Sequence, residues 1–126
     1  MTQKNGIYKC EICGNVVEVH HTGAGELVCC GQPMNELHEK KEDEGNEKHV
    51  PVVEKKDDHV LVKIGETPHP MEEKHYIEWV EVVRQNGRMS KIYLRPTDEP
   101  EAKFECMDSD VKKVRIYCNI HGLWSN

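Results

Sequence analysis

Two cysteine pairs close to the start of the chain, Cys10-Glu-Ile-Cys13-Gly14 and Cys29-Cys30-Gly31, restrict its folding more than any apolar pattern does. Thiolates separated by two residues can meet one tetrahedral ion, and the following glycine lets backbone amides turn towards the sulfurs. The second pair lacks the spacer that a zinc ribbon normally repeats, so adjacency forces a distorted tetrahedron. Four thiolates suit zinc, which would make the site a staple, and iron, which would make it a one-electron carrier. Disulfides are the weaker account. Pairing of adjacent cysteines is strained, Met1-Thr-Gln-Lys-Asn-Gly6 has no apolar signal core behind it, and a reducing cytoplasm, the expected location, keeps thiols free.

A second set of metal-ligand residues, His49, His69, His75, Cys118 and His121, is spread over the rest of the chain. His69 lies in Pro68-His-Pro70, where two prolines restrict the backbone and help hold the ring. Met71-Glu-Glu-Lys74 then suits one short turn that brings His75 to the same place. Cys118-Asn-Ile-His121-Gly122 is a tight loop whose amides can hydrogen-bond the thiolate, and His49 sits at the start of a strand. Five ligands on a metal that accepts six leave one position open for chemistry. His20, His21, His38 and His59 have no such company and read as surface or hydrogen-bonded residues.

Composition limits the alternatives. With 126 residues, the chain has room for one ordinary domain, or for a small metal-held domain and a second of under about a hundred residues. Hydrophobic residues make up 37%, with one Phe and two Trp, so metal binding would help to stabilise a modest core. No apolar run approaches the roughly 18 residues that span a bilayer, so no membrane partner is expected. The net charge is −6, and residues 1–37 hold two Lys against four Glu, so neither part of the chain is basic. Nucleic acid is therefore disfavoured, because phosphate binding relies on clustered Lys and Arg. An anionic substrate would need a local positive charge to overcome the general field.

The chain divides into three stretches. Residues 1–37 are punctuated by Gly14, Gly23, Gly25 and Gly31, with short strands expected at Val16–Val19 and Leu27–Cys30, joined by the Gly23-Ala-Gly25 turn. Residues 38–48 are almost wholly polar and read as a linker. From residue 49 to 126, strand-type runs recur at Val50–Val53, Val60–Ile64, Tyr76–Val83, Met89–Leu94, Lys103–Cys106 and Val111–Cys118. Ile77, Trp79 and Val83 are expected on one face, opposite Glu78. Gln85-Asn-Gly87 predicts a hairpin turn. No stretch holds a helical period, and the spacing favours an all-β chain ending in an immunoglobulin-like antiparallel β-sandwich, with a strand order that spacing does not reveal.

Five stretches together carry a resemblance: Tyr8-Lys-Cys-Glu-Ile-Cys-Gly-Asn, Gly25-Glu-Leu-Val-Cys-Cys-Gly, Glu47-Lys-His-Val-Pro-Val, His69-Pro-Met-Glu-Glu-Lys-His-Tyr-Ile and Tyr117-Cys-Asn-Ile-His-Gly. Over nearly its whole length the chain resembles desulfoferrodoxin, the two-iron class of superoxide reductase. The resemblance implies a desulforedoxin-like first domain holding iron through Cys10, Cys13, Cys29 and Cys30. It implies a second iron held by His49, His69, His75, His121 and Cys118, with four imidazoles in a plane, the thiolate below it and superoxide binding above. The implied reaction is one-electron reduction of superoxide to hydrogen peroxide, with two protons and no evolved oxygen. Lys48 would steer superoxide and position water for protonation, although taken alone it reads as a solvated member of a charged run. Glu47 would occupy the sixth position of the ferric ion, and Lys74 would add positive potential. A rubredoxin-like donor and a homodimer are implied as well. Cys106 has no assignable role and reads as a partly buried free thiol, and Leu123, not a ligand, stands where relatives carry a more polar residue. The rival readings are a pure electron carrier, a zinc-binding interaction module and a dismutase, the last distinguished by the oxygen it would evolve.

Overall fold

The computed structural model describes residues 2–42, 48–65 and 68–126. The chain forms two compact units, Met1–His38 and Glu39–Asn126.

The first unit contains β1 (Ile7–Lys9), β2 (Val16–Glu18), β3 (Val28–Cys29), β4 (Gln32–Pro33) and β5 (Asn35–Leu37). The sheet runs β2-β1-β5, with Tyr8 paired to Val17 on one side and Glu36 on the other, while β3 and β4 form a separate two-stranded ladder. The two expected strands are present, but each pairs elsewhere rather than across the Gly23–Gly25 turn. Their partners, Ile-Tyr-Lys and Gln-Pro, are too short to show an alternation. The buried apolar residues here are Ile7, Tyr8, Cys10 and Val19, a core too small to hold a fold without a crosslink.

The second unit contains β6 (Pro51–Lys55), β7 (Val60–Ile64), β8 (Ile77–Arg84), β9 (Met89–Tyr93), β10 (Glu101–Phe104), β11 (Val111–Cys118) and β12 (Gly122–Ser125). These make two antiparallel sheets, β10-β7-β6 and β12-β11-β8-β9, the sandwich anticipated from strand spacing. Val60, Val62 and Ile64 are fully buried while Lys63 between them is exposed, so period-two alternation places one face of β7 in the core. Val80, Val82, Val114, Ile116 and Trp124 meet that face in a single apolar cluster. Arg84 and Arg88 close the β8–β9 hairpin, and Gly87 takes φ 86°, a conformation that glycine adopts at no steric cost.

One strand departs from simple alternation. On β8, Trp79 pairs with Tyr117 and Ile77 with Cys118, so Glu78 has no opposite number and the ladder bulges there. Ile77 therefore joins the core with Val80 and Val82, whereas Trp79 stacks on Tyr117, with ring centroids 6.0 Å apart. The expectation that Ile77 and Trp79 share a face fails because of this extra residue.

Beside Trp79, Glu81 and Arg115 form a buried ion pair, Arg115 Nε donating to Glu81 Oε1 at 2.7 Å. Lys91 lies 3.4 Å from the same carboxylate and 4.1 Å from the Trp79 ring centroid. Among the described residues, no helix is long and apolar enough to cross a membrane.

Candidate metal centres

The four thiols of the first unit come together where β3 turns into β4. Cys13 Sγ lies 3.5 Å from Cys29 Sγ, and Cys29 Sγ 4.0 Å from Cys30 Sγ. These distances are far beyond a disulfide bond of about 2.05 Å. They bracket the edge of about 3.8 Å expected for a sulfur tetrahedron with metal bonds of about 2.3 Å. All four donor atoms lie within 4.8 Å of one another, so the donor set fits a single ion. Cys30 reaches the site by taking φ 53°, a left-handed conformation uncommon outside glycine, and that is how adjacent residues both deliver sulfur.

Backbone and neighbouring sulfurs give these thiols different acidities. The Cys13 N–H donates to Cys10 Sγ at 3.5 Å and pulls the Cys10 thiol down to about 6, against the opposing effect of burial. The Cys13 sulfur pushes Cys30 up to about 12 and raises Cys29 as well. One thiolate forms readily at neutral pH, and crowding opposes further negative charge. A cation among the sulfurs removes that penalty.

The second cluster is assembled from three loops. His49 precedes β6, His69 and His75 flank a tight turn between β7 and β8, and Cys118 and His121 lie at the β11–β12 connection. Glu72 and His75 exchange two backbone hydrogen bonds, the short turn expected between the ligand histidines. His69 Nδ1 lies 2.8 Å from the Pro70 carbonyl oxygen, a contact that directs Nε2 inward. The Cys118 sulfur accepts the His121 N–H at 3.4 Å.

His49 Nε2 and His69 Nε2 are 3.0 Å apart, and Cys118 Sγ lies 3.7 Å from His69 Nε2 and 3.9 Å from His121 Nδ1. Adjacent ligands at about 2.1 Å from an ion would be separated by about 3.0 Å, the spacing of the two imidazole nitrogens. Donor atoms of all five residues fall within 4.8 Å of one another. Four imidazoles and one thiolate suit a borderline transition metal such as iron. Burial is uneven across the set. Cys118 is 0% exposed and His49 and His69 are each 3% exposed, whereas His75 and His121 are partly accessible. His75 and His121 are therefore the more accessible members of the set, and the sulfur the least.

Of the other residues singled out from sequence, Lys48 is partly exposed next to His49, and Lys74 is exposed. Glu47 lies outside the described residues. Cys106 is a free thiol buried in the sandwich core, and burial pushes its pKa up, making it a weaker acid. His20, His21 and His38 are exposed, and His59 Nδ1 lies 2.7 Å from Asp58 Oδ1, so none of the four joins either cluster.

Two residues with no role in the sequence reading support this centre. Asn119 Oδ1 accepts the Tyr76 N–H at 2.9 Å and Asn119 Nδ2 donates to the Lys74 carbonyl at 3.0 Å, tying both peptides that flank His75 to the loop carrying Cys118. Trp124 stacks on His49 with ring centroids 4.5 Å apart and planes 11° from parallel. Neither contact leaves a local signal, since the partners are distant in sequence.

Comparison with known proteins gives one answer over the whole chain. Residues 2–37 match the family described as Desulfoferrodoxin, N-terminal domain, and residues 41–126 match Desulfoferrodoxin. A desulfoferrodoxin from Syntrophotalea carbinolica is 56% identical over 126 residues, covering 100% of this chain and 98% of that protein. A desulfoferrodoxin homolog from Archaeoglobus fulgidus is 55% identical, covering 100% and 99%. The crystal structure of the superoxide reductase from Treponema pallidum superposes with a TM-score of 0.76 at 27% identity, covering 96% of each chain. By both of its units, this chain belongs to the desulfoferrodoxin family.

Proposed function

We propose that the chain is a superoxide reductase, converting superoxide to hydrogen peroxide with one electron and two protons and without evolving oxygen. The observation that carries this reading is the convergence of His49, His69, His75, His121 and Cys118, with the sulfur fully buried and His75 and His121 partly accessible. These five residues would hold an iron ion, which would supply the electron for the reduction. The balance is one superoxide, one electron and two protons giving one hydrogen peroxide.

The residues of the chain perform the remaining tasks. The Cys118 thiolate, held by the His121 amide, donates electron density and favours release of the product with its O–O bond intact. Lys48 attracts the anion against the general negative field and holds water for protonation, with Lys74 adding positive potential. Glu47 would offer a hard carboxylate oxygen, a donor suited to the oxidised metal.

Cys10, Cys13, Cys29 and Cys30 hold a second, accessory iron. Functionally the chain divides into residues 1–37 and a reductase domain at 49–126, joined by the polar stretch 38–48, whose Glu39 and Lys40 pack with the second unit. A rubredoxin-like protein supplies electrons, and the enzyme works as a cytoplasmic homodimer. Product analysis tests the reading. Ferrous-loaded protein given a measured amount of superoxide should yield one peroxide per superoxide consumed and no oxygen. Oxygen evolution at half the superoxide consumed would make it a dismutase, and unaccelerated superoxide loss would leave only electron transfer.

A further inference from the structure

Trp124 touches two of the five clustered residues in two different ways. Its indole lies flat on the His49 ring, 4.5 Å away and 11° from parallel, and its Nε1–H donates to the His121 carbonyl at 3.2 Å. The same carbonyl accepts a second hydrogen bond, at 2.9 Å, from Lys40 Nζ, which also sits 5.1 Å from the Trp124 ring centroid. Lys40 is held in place by its own backbone. Its N–H donates to the Leu123 carbonyl at 3.0 Å and its carbonyl accepts the Ser125 N–H at 2.9 Å, so it pairs alongside β12 on both sides of Trp124.

Physical consequences follow for each ligand. Stacking on a 5% exposed indole restricts rotation of the His49 ring about its Cβ–Cγ bond, and so fixes the direction of its ring nitrogens. The His121 donor facing Cys118 is Nδ1, the ring nitrogen nearer the backbone, so its position follows its own main chain closely. Two donors on one carbonyl hold that main chain. A permanent ammonium at this carbonyl also disfavours any gain of positive charge at the centre.

We infer that Trp124 is a positioning residue for the His49 and His121 ligands, and that the Lys40 ammonium joined to it biases the centre towards its less positively charged, reduced form. This rests on reading the cluster as an iron centre. Its test uses the iron-loaded full chain and needs no superoxide, so a protein that binds iron but leaves superoxide untouched would defeat the proposed activity without touching this inference.

Redox titration at low salt should show Lys40→Met shifting the ferric-to-ferrous ratio about threefold towards ferric at the potential where the wild type is half reduced. The shift should shrink at high salt, and Lys40→Arg should restore the wild-type ratio. Chelator challenge should show Trp124→Leu releasing iron from this centre about tenfold faster, with Trp124→Phe, which keeps the stack, much closer to wild type. An unchanged ratio in Lys40→Met, or the same shift in Lys40→Arg, overturns the electrostatic part. Wild-type release from folded Trp124→Leu overturns the positioning part. Should Trp124→Leu fail to fold, release from Trp124→Phe as fast as from His49→Ala, which lacks that ligand altogether, overturns it instead.

Discussion

Lys48 and Lys74 each precede a clustered histidine in sequence, His49 and His75, on a chain of net charge −6. Superoxide is an anion, so its approach depends on the local potential rather than on the mean field. Lys48→Ile is predicted to slow its second-order reaction about tenfold at low salt while iron content stays unchanged, and the deficit should narrow as salt rises. A rate equal to wild type would remove Lys48 from the mechanism. At this scale the membership of the two clusters was legible, because thiols and imidazoles are scarce and several stand among turn residues such as Pro68, Pro70 and Gly122. Asn119 and Lys40 were not. Asn119 bonds to Tyr76 across 43 positions and Lys40 to His121 across 81, and such distances leave no trace in a local pattern.

Strands β7 and β11 were read from sequence with their observed bounds, because Val60, Val62 and Ile64 on the first and Val114, Ile116 and Cys118 on the second recur at alternate positions. The short β12 was missed, since Gly-Leu-Trp-Ser has no alternation to detect, and the bulge at Glu78 inverts a face that alternation alone assigns wrongly. Both gaps matter for the site, as β12 carries Trp124 and the bulge lies where β8 leaves the His75 loop. Burial makes the charged link between β8 and β11 sensitive to single changes. Arg115→Met leaves the Glu81 carboxylate without its guanidinium, and chemical denaturation should show a loss of about 3–5 kcal/mol, whereas a loss below about 1 kcal/mol would mean Lys91 alone suffices.

The β6–β7 pair offers a pH test. Lys63, hydrogen-bonded to Glu54 at 3.1 Å, holds that carboxyl below its usual range, with Lys56 contributing at 3.5 Å. A folded value below the unfolded one gives stability that is complete above the unfolded value and is lost as pH falls through the folded one. Glu54→Gln should therefore lower stability slightly at neutral pH and flatten the acid limb below about pH 4.5, and an unaltered acid limb would show the pair to be inert.

The two units of the molecule differ in what sustains them. Residues 60–124 contribute a contiguous apolar core, but the first unit buries only a handful of apolar side chains and surrounds four crowded sulfurs. Cys13→Ser is predicted to abolish the visible absorption of the first centre and to broaden amide NMR signals from residues 2–37 while those of residues 48–126 keep their dispersion. The same variant, supplied with an artificial reductant, should still consume superoxide, because the His and Cys cluster lies wholly within the second unit. Loss of that activity would make the first centre obligatory.

Loaded with ferrous iron, the five-residue cluster should pass its electron to superoxide directly. Pulse radiolysis of the reduced, iron-loaded chain measures this, with superoxide decay and ferric absorbance followed together. The account predicts that both change in step, with a rate proportional to protein concentration and approaching about 10⁸–10⁹ M⁻¹ s⁻¹. Superoxide that disappears at its spontaneous rate while the iron stays ferrous would contradict it.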